Sequence, residues 1–141
     1  MANLRKSLIS SGSEYESMAS YSRAVVIGDE VLVSGTTGFD YQTMQISSSV
    51  AAQTEQCFVN INSALLLAGC SLDDIVRVRY ILTSREDFKA CLPVIRKHLH
   101  QVRPAATMMI AGLLDERMKI EIEVTARCGA ATAALRTIRM S

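Results

Sequence analysis

The chain has 141 residues, 49% of them apolar, with 15 basic and 14 acidic side chains and a formal net charge of +1. That length suits one domain with a hydrophobic core of its own. The balanced charge excludes the broad basic footprint of a nucleic-acid binder, and no apolar run reaches membrane-spanning length.

The N-terminal stretch to Ser20 is polar and serine-rich, with no apolar h-region, so it does not read as a signal peptide. It is expected to be part strand and part loop. Arg23 to Ser34 then reads as a hairpin. Two apolar runs, Ala24–Ile27 and Val31–Val33, flank Gly28-Asp29, a pair that suits a two-residue turn. Counting outward from that turn, Ile27 pairs with Glu30, Arg23 faces Ser34, and Tyr21 faces Thr36. Tyr21 and Arg23, two apart, share a strand face. Gly35-Thr36-Thr37-Gly38 reads as a loop, either an ordinary strand exit or, less well supported, an anion cradle. The longer glycine spacing of a P-loop is missing.

Ser47 to Ala68 is the clearest helix. Val50, Thr54, Cys57, Phe58, Ile61, Ala64, Leu65 and Ala68 recur on one face. A serine among 47–49 can cap its start and Gly69 can end it. Asp74 to Thr83 reads as a strand, with Val76, Val78, Tyr80 and Leu82 on one face and Arg77, Arg79 and Ile81 on the other. A second helix opens at Ser84 and runs to about His100. Pro93 inside it predicts a kink or a late start. Ala105–Ala111 and Met118–Arg127 read as two last strands around a turn at 112–117. In the second, Lys119-Ile120-Glu121-Ile122-Glu123-Val124 alternates strictly. Ile120, Ile122 and Val124 belong to one face, Glu121 and Glu123 to the other. Residues after Gly129 form a tail, frayed or a short added helix.

The order β-hairpin, α, β, α, β, β predicts an α+β fold: a mixed sheet with two helices packed on one face. The other face would carry Arg77, Arg79, Glu121 and Glu123, and such a face is often a subunit interface. Cys57, Cys70, Cys91 and Cys128 contain no C-x-x-C pair and read as free thiols in a reducing, cytoplasmic compartment. The only histidines, His98 and His100, are two apart on a helix and point apart, which argues against a metal pair.

Arg103-Pro104-Ala105-Ala106-Thr107 followed by Lys119-Ile120-Glu121-Ile122-Glu123 resembles the C-terminal signature of the RidA (YjgF/YER057c) family. Ser20-Tyr21-Ser22, Val33-Ser34-Gly35, Asp73-Asp74-Ile75-Val76 and Asp87-Phe88 add to the resemblance, in the right order. The resemblance implies a chorismate-mutase-like fold over residues 1–129, with 130–141 as a tail. It also implies a homotrimer with clefts between subunits, and hydrolysis of reactive enamines or imines to keto acids and ammonia without a cofactor. Carried over residue by residue, the family's tyrosine falls on Tyr21, its hydroxyl on Ser34 and its glutamate on Glu121. Tyr21 and Glu121 are thus the candidate catalytic residues. The arginine that grips a substrate carboxylate in the family does not carry over. Ala106 stands in its place, and Leu92 in place of a helix asparagine. A guanidinium grip is bidentate and charge-assisted, and a methyl group cannot supply it. Arg23 is the candidate replacement, Arg103 the runner-up, and Ser34 the third candidate substrate contact.

Each residue also has a plainer reading. Glu121 can be a strand-face charge paired with Arg77 or Arg79, Tyr21 a half-buried strand tyrosine, and Arg23 a solvated strand arginine. Cys91 and Cys128 read as inert thiols, and His98 and His100 as cations at a helix C-terminus. Three functions follow: a cofactor-free imine or enamine hydrolase, a non-catalytic trimer that binds a small carboxylate or carbonyl compound, and RNA cleavage. The last fits poorly with the balanced charge and the lack of a basic-aromatic platform.

Overall fold

A computed structural model describes residues 4–141. Its core is a six-stranded sheet in the order β1-β2-β3-β8-β6-β7. The strands are β1 (Lys6–Ile9), β2 (Ala24–Ile27), β3 (Glu30–Thr37), β6 (Ile75–Leu82), β7 (Ala105–Ile110) and β8 (Ile120–Arg127). A small hairpin, β4 (Phe39–Asp40) with β5 (Gln45–Ile46), lies outside it. All neighbours in the main sheet run antiparallel except β6 and β7. The sheet is therefore mixed, as expected. β7 and β8, however, are not partners. β6 lies between them, because the helical crossover from β6 returns the chain parallel to it.

The predicted hairpin is present in its predicted register, with Ile27 opposite Glu30 and Gly28 at φ 59. β3 runs past Ser34 to Thr37, so 35–37 are strand rather than loop. Between Val33 and Thr36 the pairing with β8 shifts: Val33 faces Val124, but Thr36 faces Ile122. One extra residue sits on β3, a bulge. A second register shift lies between Ile75 and Arg77. It overturns the predicted alternation at the start of β6, where Ile75 is buried with Val78 and Val76 is 42% exposed.

The helix α2 (Val50–Leu67) starts at Ser49, whose hydroxyl accepts from the Ala52 N–H, and ends before Gly69 at φ 81. The predicted stripe is buried, except that Ala68 is only partly so. Gln53 joins it fully buried, with its amide satisfied. Its Nε2 donates to the Ser47 and Arg117 carbonyls, and its Oε1 accepts from the Lys119 N–H. Gly38 has no side chain because a Cβ there would lie 2.6 Å from the Gln53 Cα. The helix α3 (Phe88–Leu99) begins late, after a 3₁₀ turn at Arg85–Asp87, and holds Pro93 within it. His98 stacks on Phe58 at 4.7 Å and meets Glu55 at 2.7 Å, so it bridges α2 and α3. Ile120, Ile122, Val124 and Ala126 of β8 are buried in the same cluster as Phe58, Ile61, Leu65 and Cys91.

Two corrections concern the ends of the chain. A short helix, α1 (Glu14–Ala19), interrupts the segment read as strand and loop, with Ser13 capping it. At the other end Cys70 and Cys128 form a disulfide, and only Cys57 and Cys91 are free, both buried. The 58-residue separation left the pairing invisible in the sequence. The fold brings the turn after α2 beside the end of β8, where buried Asp74 accepts from the Gly129 and Ala131 N–H groups. The reading of four free thiols, and the compartment argued from it, lose their premise. Beyond a 3₁₀ turn at Ala130–Thr132 the tail is exposed.

Candidate active site

The β3 bulge organises the polar residues singled out in the sequence. Arg23 precedes β2, and its carbonyl accepts from the Ser34 N–H at 2.9 Å. The predicted Arg23–Ser34 pairing is thus real. The Ser34 hydroxyl donates to the Ser22 carbonyl at 2.6 Å, which leaves it committed to its own backbone.

Arg23 is not solvated. It is 3% exposed. Its Nη1 donates to the Gly35 carbonyl at 2.8 Å and to the Thr36 hydroxyl at 2.9 Å, and its Nη2 to the Tyr21 hydroxyl at 3.3 Å. The guanidinium lies 4.9 Å from the Tyr41 ring centroid and 5.7 Å from that of Tyr21. Its Nε has no hydrogen bond but stands 3.9 Å from the buried Glu16 carboxylate. A buried cation needs such compensation. Glu16 is itself fixed by Ser11, from both the backbone N–H and the hydroxyl. Burial works to raise the Glu16 carboxyl, but the Ser11 and Ser10 hydrogen bonds and Arg23 outweigh it and hold it below its ordinary value.

Glu121 sits on the far side of the bulge, opposite Thr37 and Ile81. A Cβ on Gly35 would lie 2.8 Å from its carboxyl carbon, so the missing side chain at 35 is the room Glu121 occupies. The expected pairing with Arg77 or Arg79 is not made by Glu121. Arg79 bridges Glu123 instead, at 2.9 Å. Among the described residues no cation lies within ion-pair distance of Glu121. Burial pushes its carboxyl above the ordinary value, and Glu123 adds to this while Arg23 opposes it. Burial likewise raises the Tyr21 phenol, against the pull of Arg23.

Tyr21, Arg23, Ser34 and Glu121 therefore form one contact chain through Gly35. Arg103 is not in it. It follows α3 at φ 52, with its N–H on the Leu99 carbonyl, and lines a separate recess with Ala106 and Leu92. Among the described residues no group of three or more histidine, cysteine or carboxylate side chains could hold a metal. Cys57 is fully buried and its thiol is pushed far up by burial, as an inert thiol would be.

The sequence reading missed Glu16, Tyr41 and the role of Gly35. A signal existed for two of them. Ser13-Glu14-Tyr15-Glu16 has the S-x-x-E spacing of a helix start. A lone glycine within a strand pattern marks a bulge or a close approach. Tyr41 carried none, since only the β4–β5 hairpin brings it to Arg23.

The family model described as Endoribonuclease L-PSP matches residues 11–128. A human 2-iminobutanoate/2-iminopropanoate deaminase is 27% identical over 135 residues, covering 95% of this chain and 98% of that protein. The crystal structure of a member of the YjgF/YER057c/UK114 family from Mycobacterium tuberculosis superposes with a TM-score of 0.80 at 35% identity, over 87% of this chain and 99% of that one. RidA from an Antarctic Psychrobacter gives 0.72 at 36% identity, over 76% and 87%.

Proposed function

Because the chain belongs to the endoribonuclease L-PSP (YjgF/RidA) family, we propose that it hydrolyses small imines or enamines without a cofactor. Full-length similarity to the 2-iminobutanoate/2-iminopropanoate deaminases supports the reaction class. The observation that carries the reading is Glu121: a half-buried carboxylate with no ion-pair partner among the described residues, lodged in the space that Gly35 leaves free. Carboxyls raised by burial are suited to proton transfer near neutral pH.

In this scheme Glu121 takes a proton from water as its oxygen bonds to the imine carbon. The proton passes to nitrogen, and the carbinolamine collapses to a carbonyl compound and ammonia. Tyr21 is the second donor, oriented by Arg23. Arg23 itself is a positioning residue rather than the substrate clamp. Its Nη1 is fully engaged with Gly35 and Thr36, and one Nη2 hydrogen goes to Tyr21. The active form in this reading is a homotrimer joined through the open sheet face, with the sites in shared clefts.

The test is ammonia release from freshly generated 2-iminopropionate and 2-iminobutyrate, compared with Glu121→Gln. We expect release that drops on the order of 100-fold in the variant. Equal rates would remove Glu121 from the chemistry. No release from the wild-type protein, with retained ligand binding, would leave the non-catalytic trimer, the reading that Ala106 in place of an anion-gripping arginine favours. RNA cleavage is set aside on the balanced charge.

A further inference from the structure

The turn after α2 and the end of β8 meet at the Cys70–Cys128 disulfide, a pair that the hydrolytic reading does not use. We propose that this pair is a reversible oxidation site, at which Cys128 reduces a hydroperoxide and Cys70 then closes the bond.

Both cysteines are held in place by contacts that do not involve sulfur. The Cys70 N–H donates to the Leu65 carbonyl at 2.8 Å, in the turn that ends α2, and the Cys128 N–H to the Asp29 carbonyl at 2.7 Å. Asp74, 6% exposed, ties the two segments to each other. Its Oδ2 accepts from the Ser71 N–H, next to Cys70, and its Oδ1 from the Gly129 and Ala131 N–H groups, just past Cys128. The Cα atoms of the pair stand 5.1 Å apart, inside the usual span for a disulfide. None of these contacts needs the S–S bond, so the reduced thiols stay opposed despite their 58-residue separation. Folding has already closed that loop, and each thiol sees the other at a high effective concentration. The bond can therefore open and close without refolding of the chain.

Burial assigns the roles. Cys70 is 4% exposed, whereas Cys128 is only partly buried. Cys70 also follows the C-terminus of α2, where the macrodipole disfavours a thiolate. Cys128 ends a strand and has no such helix behind it. Cys128 is then the attacking thiolate and Cys70 the protected thiol. The Cys128 sulfur attacks the terminal oxygen of the hydroperoxide. The O–O bond breaks, water or an alcohol leaves, and Cys128 becomes a sulfenic acid. Cys70 gives up its proton and attacks that sulfur. The S–S bond forms, the S–O bond breaks, and hydroxide leaves with the proton as water. The pair loses two electrons and the hydroperoxide gains them. A dithiol reverses the change by exchange, entering at Cys128. Cys57 and Cys91 are fully buried and take no part.

The site does not depend on Glu121, and its readout is separate from ammonia release. Mass spectrometry of the full chain tests it. The protein is reduced with dithiothreitol, freed of the reductant, and treated with hydrogen peroxide. We expect the mass to fall by about 2 Da as the bond forms, at a rate independent of protein concentration. After alkylation, trypsin should release the Cys128–Arg136 peptide linked to Ala24–Arg77. Cys70→Ser should lose that link and stop at the sulfenic acid, about 16 Da heavier and captured by dimedone. Cys128→Ser should react about tenfold more slowly or less, since its remaining thiol is shielded. The reduced wild-type protein retains both side chains, so its measurement decides the matter even where a variant fails to fold. Free thiols at both 70 and 128 after peroxide treatment would overturn the proposal. So would Cys128→Ser reacting as fast as Cys70→Ser. Loss of the far-ultraviolet circular dichroism signal on reduction would also overturn it, by making the bond a structural staple.

Discussion

Strand β8 presents two different surfaces within one run of eight residues. Ile120, Ile122, Val124 and Ala126 are all but inaccessible under α2, while Glu121, Glu123 and Thr125 alternate with them on the open face. Against the covered face a buried polar group is satisfied, as Gln53 of α2 shows with three hydrogen bonds. The open face keeps Glu121, a carboxylate with no ion-pair partner among the described residues. In the proposed scheme a two-residue period separates stability from chemistry across the thickness of a single strand. Substitutions at adjacent positions should then fail in different assays.

The largest effect belongs to the covered face. Ile122 is fully buried in the centre of the sheet, between Thr36 of β3 and Tyr80 of β6. Ile122→Ala removes its packing and leaves a cavity, at a cost of about 4 kcal/mol. Urea denaturation should show a lower midpoint with unchanged slope. A cost under about 1 kcal/mol would mean that the two faces do not differ as described.

Gly35→Ala comes next, because it acts where the faces meet. The added methyl would stand 2.8 Å from the Glu121 carboxyl, so that side chain must rotate away. The cost should be about 1–2 kcal/mol, since the obstruction is the end of a side chain rather than backbone. Hydrolysis should suffer far more than stability does. Equal losses in Gly35→Ala and Ile122→Ala would indicate that position 35 matters only for packing.

The contrast also explains what the sequence made legible. Period-2 and period-3.6 patterns report burial, so the β8 alternation, the α2 stripe and the Gly28-Asp29 hairpin register could all be read directly. Features set by long-range geometry could not. The Cys70–Cys128 pair, the placement of β6 between β7 and β8, and the approach of Tyr41 to Arg23 leave no local pattern. Arg23 is the instructive case. Its strand-edge position suggested solvent, and the hairpin count correctly put it opposite Ser34. Its burial depends on Glu16 of α1, a helix the reading did not contain.

Glu121→Gln tests the open face with the opposite sign. Burial raises the carboxyl above its unfolded value. Between those two values the folded protein keeps a proton that the unfolded chain has lost, so stability falls as pH rises through that window. Above it, the ionised Glu121 is a net cost to the fold. The glutamine variant escapes that cost and should be slightly more stable at pH 7, by less than Gly35→Ala loses, because Glu121 is only partly buried and solvent screens its charge. The gain should vanish below the unfolded carboxylate value. Denaturation curves at two pH values decide it. A variant less stable than wild type at pH 7 would make Glu121 a structural carboxylate.

The smallest effect should come from Glu123, two residues along the same face. It pairs with Arg79, but the partners are 42% and 47% exposed, respectively, and exposed pairs contribute little. Arg79→Ala should change stability by no more than about 0.5 kcal/mol, and less in high salt. The two carboxylates of one strand face then differ in kind. Glu123 has a partner and gains little from it, whereas Glu121 has none and should destabilise the ionised fold. A residue retained at a cost to stability is better explained by function than one that is merely neutral. If Arg79→Ala also changes ammonia release, the functional patch extends along β8 to the second row. If it does not, Glu121 marks the boundary, and the bulge at Gly35 rather than the charge of the open face defines the site.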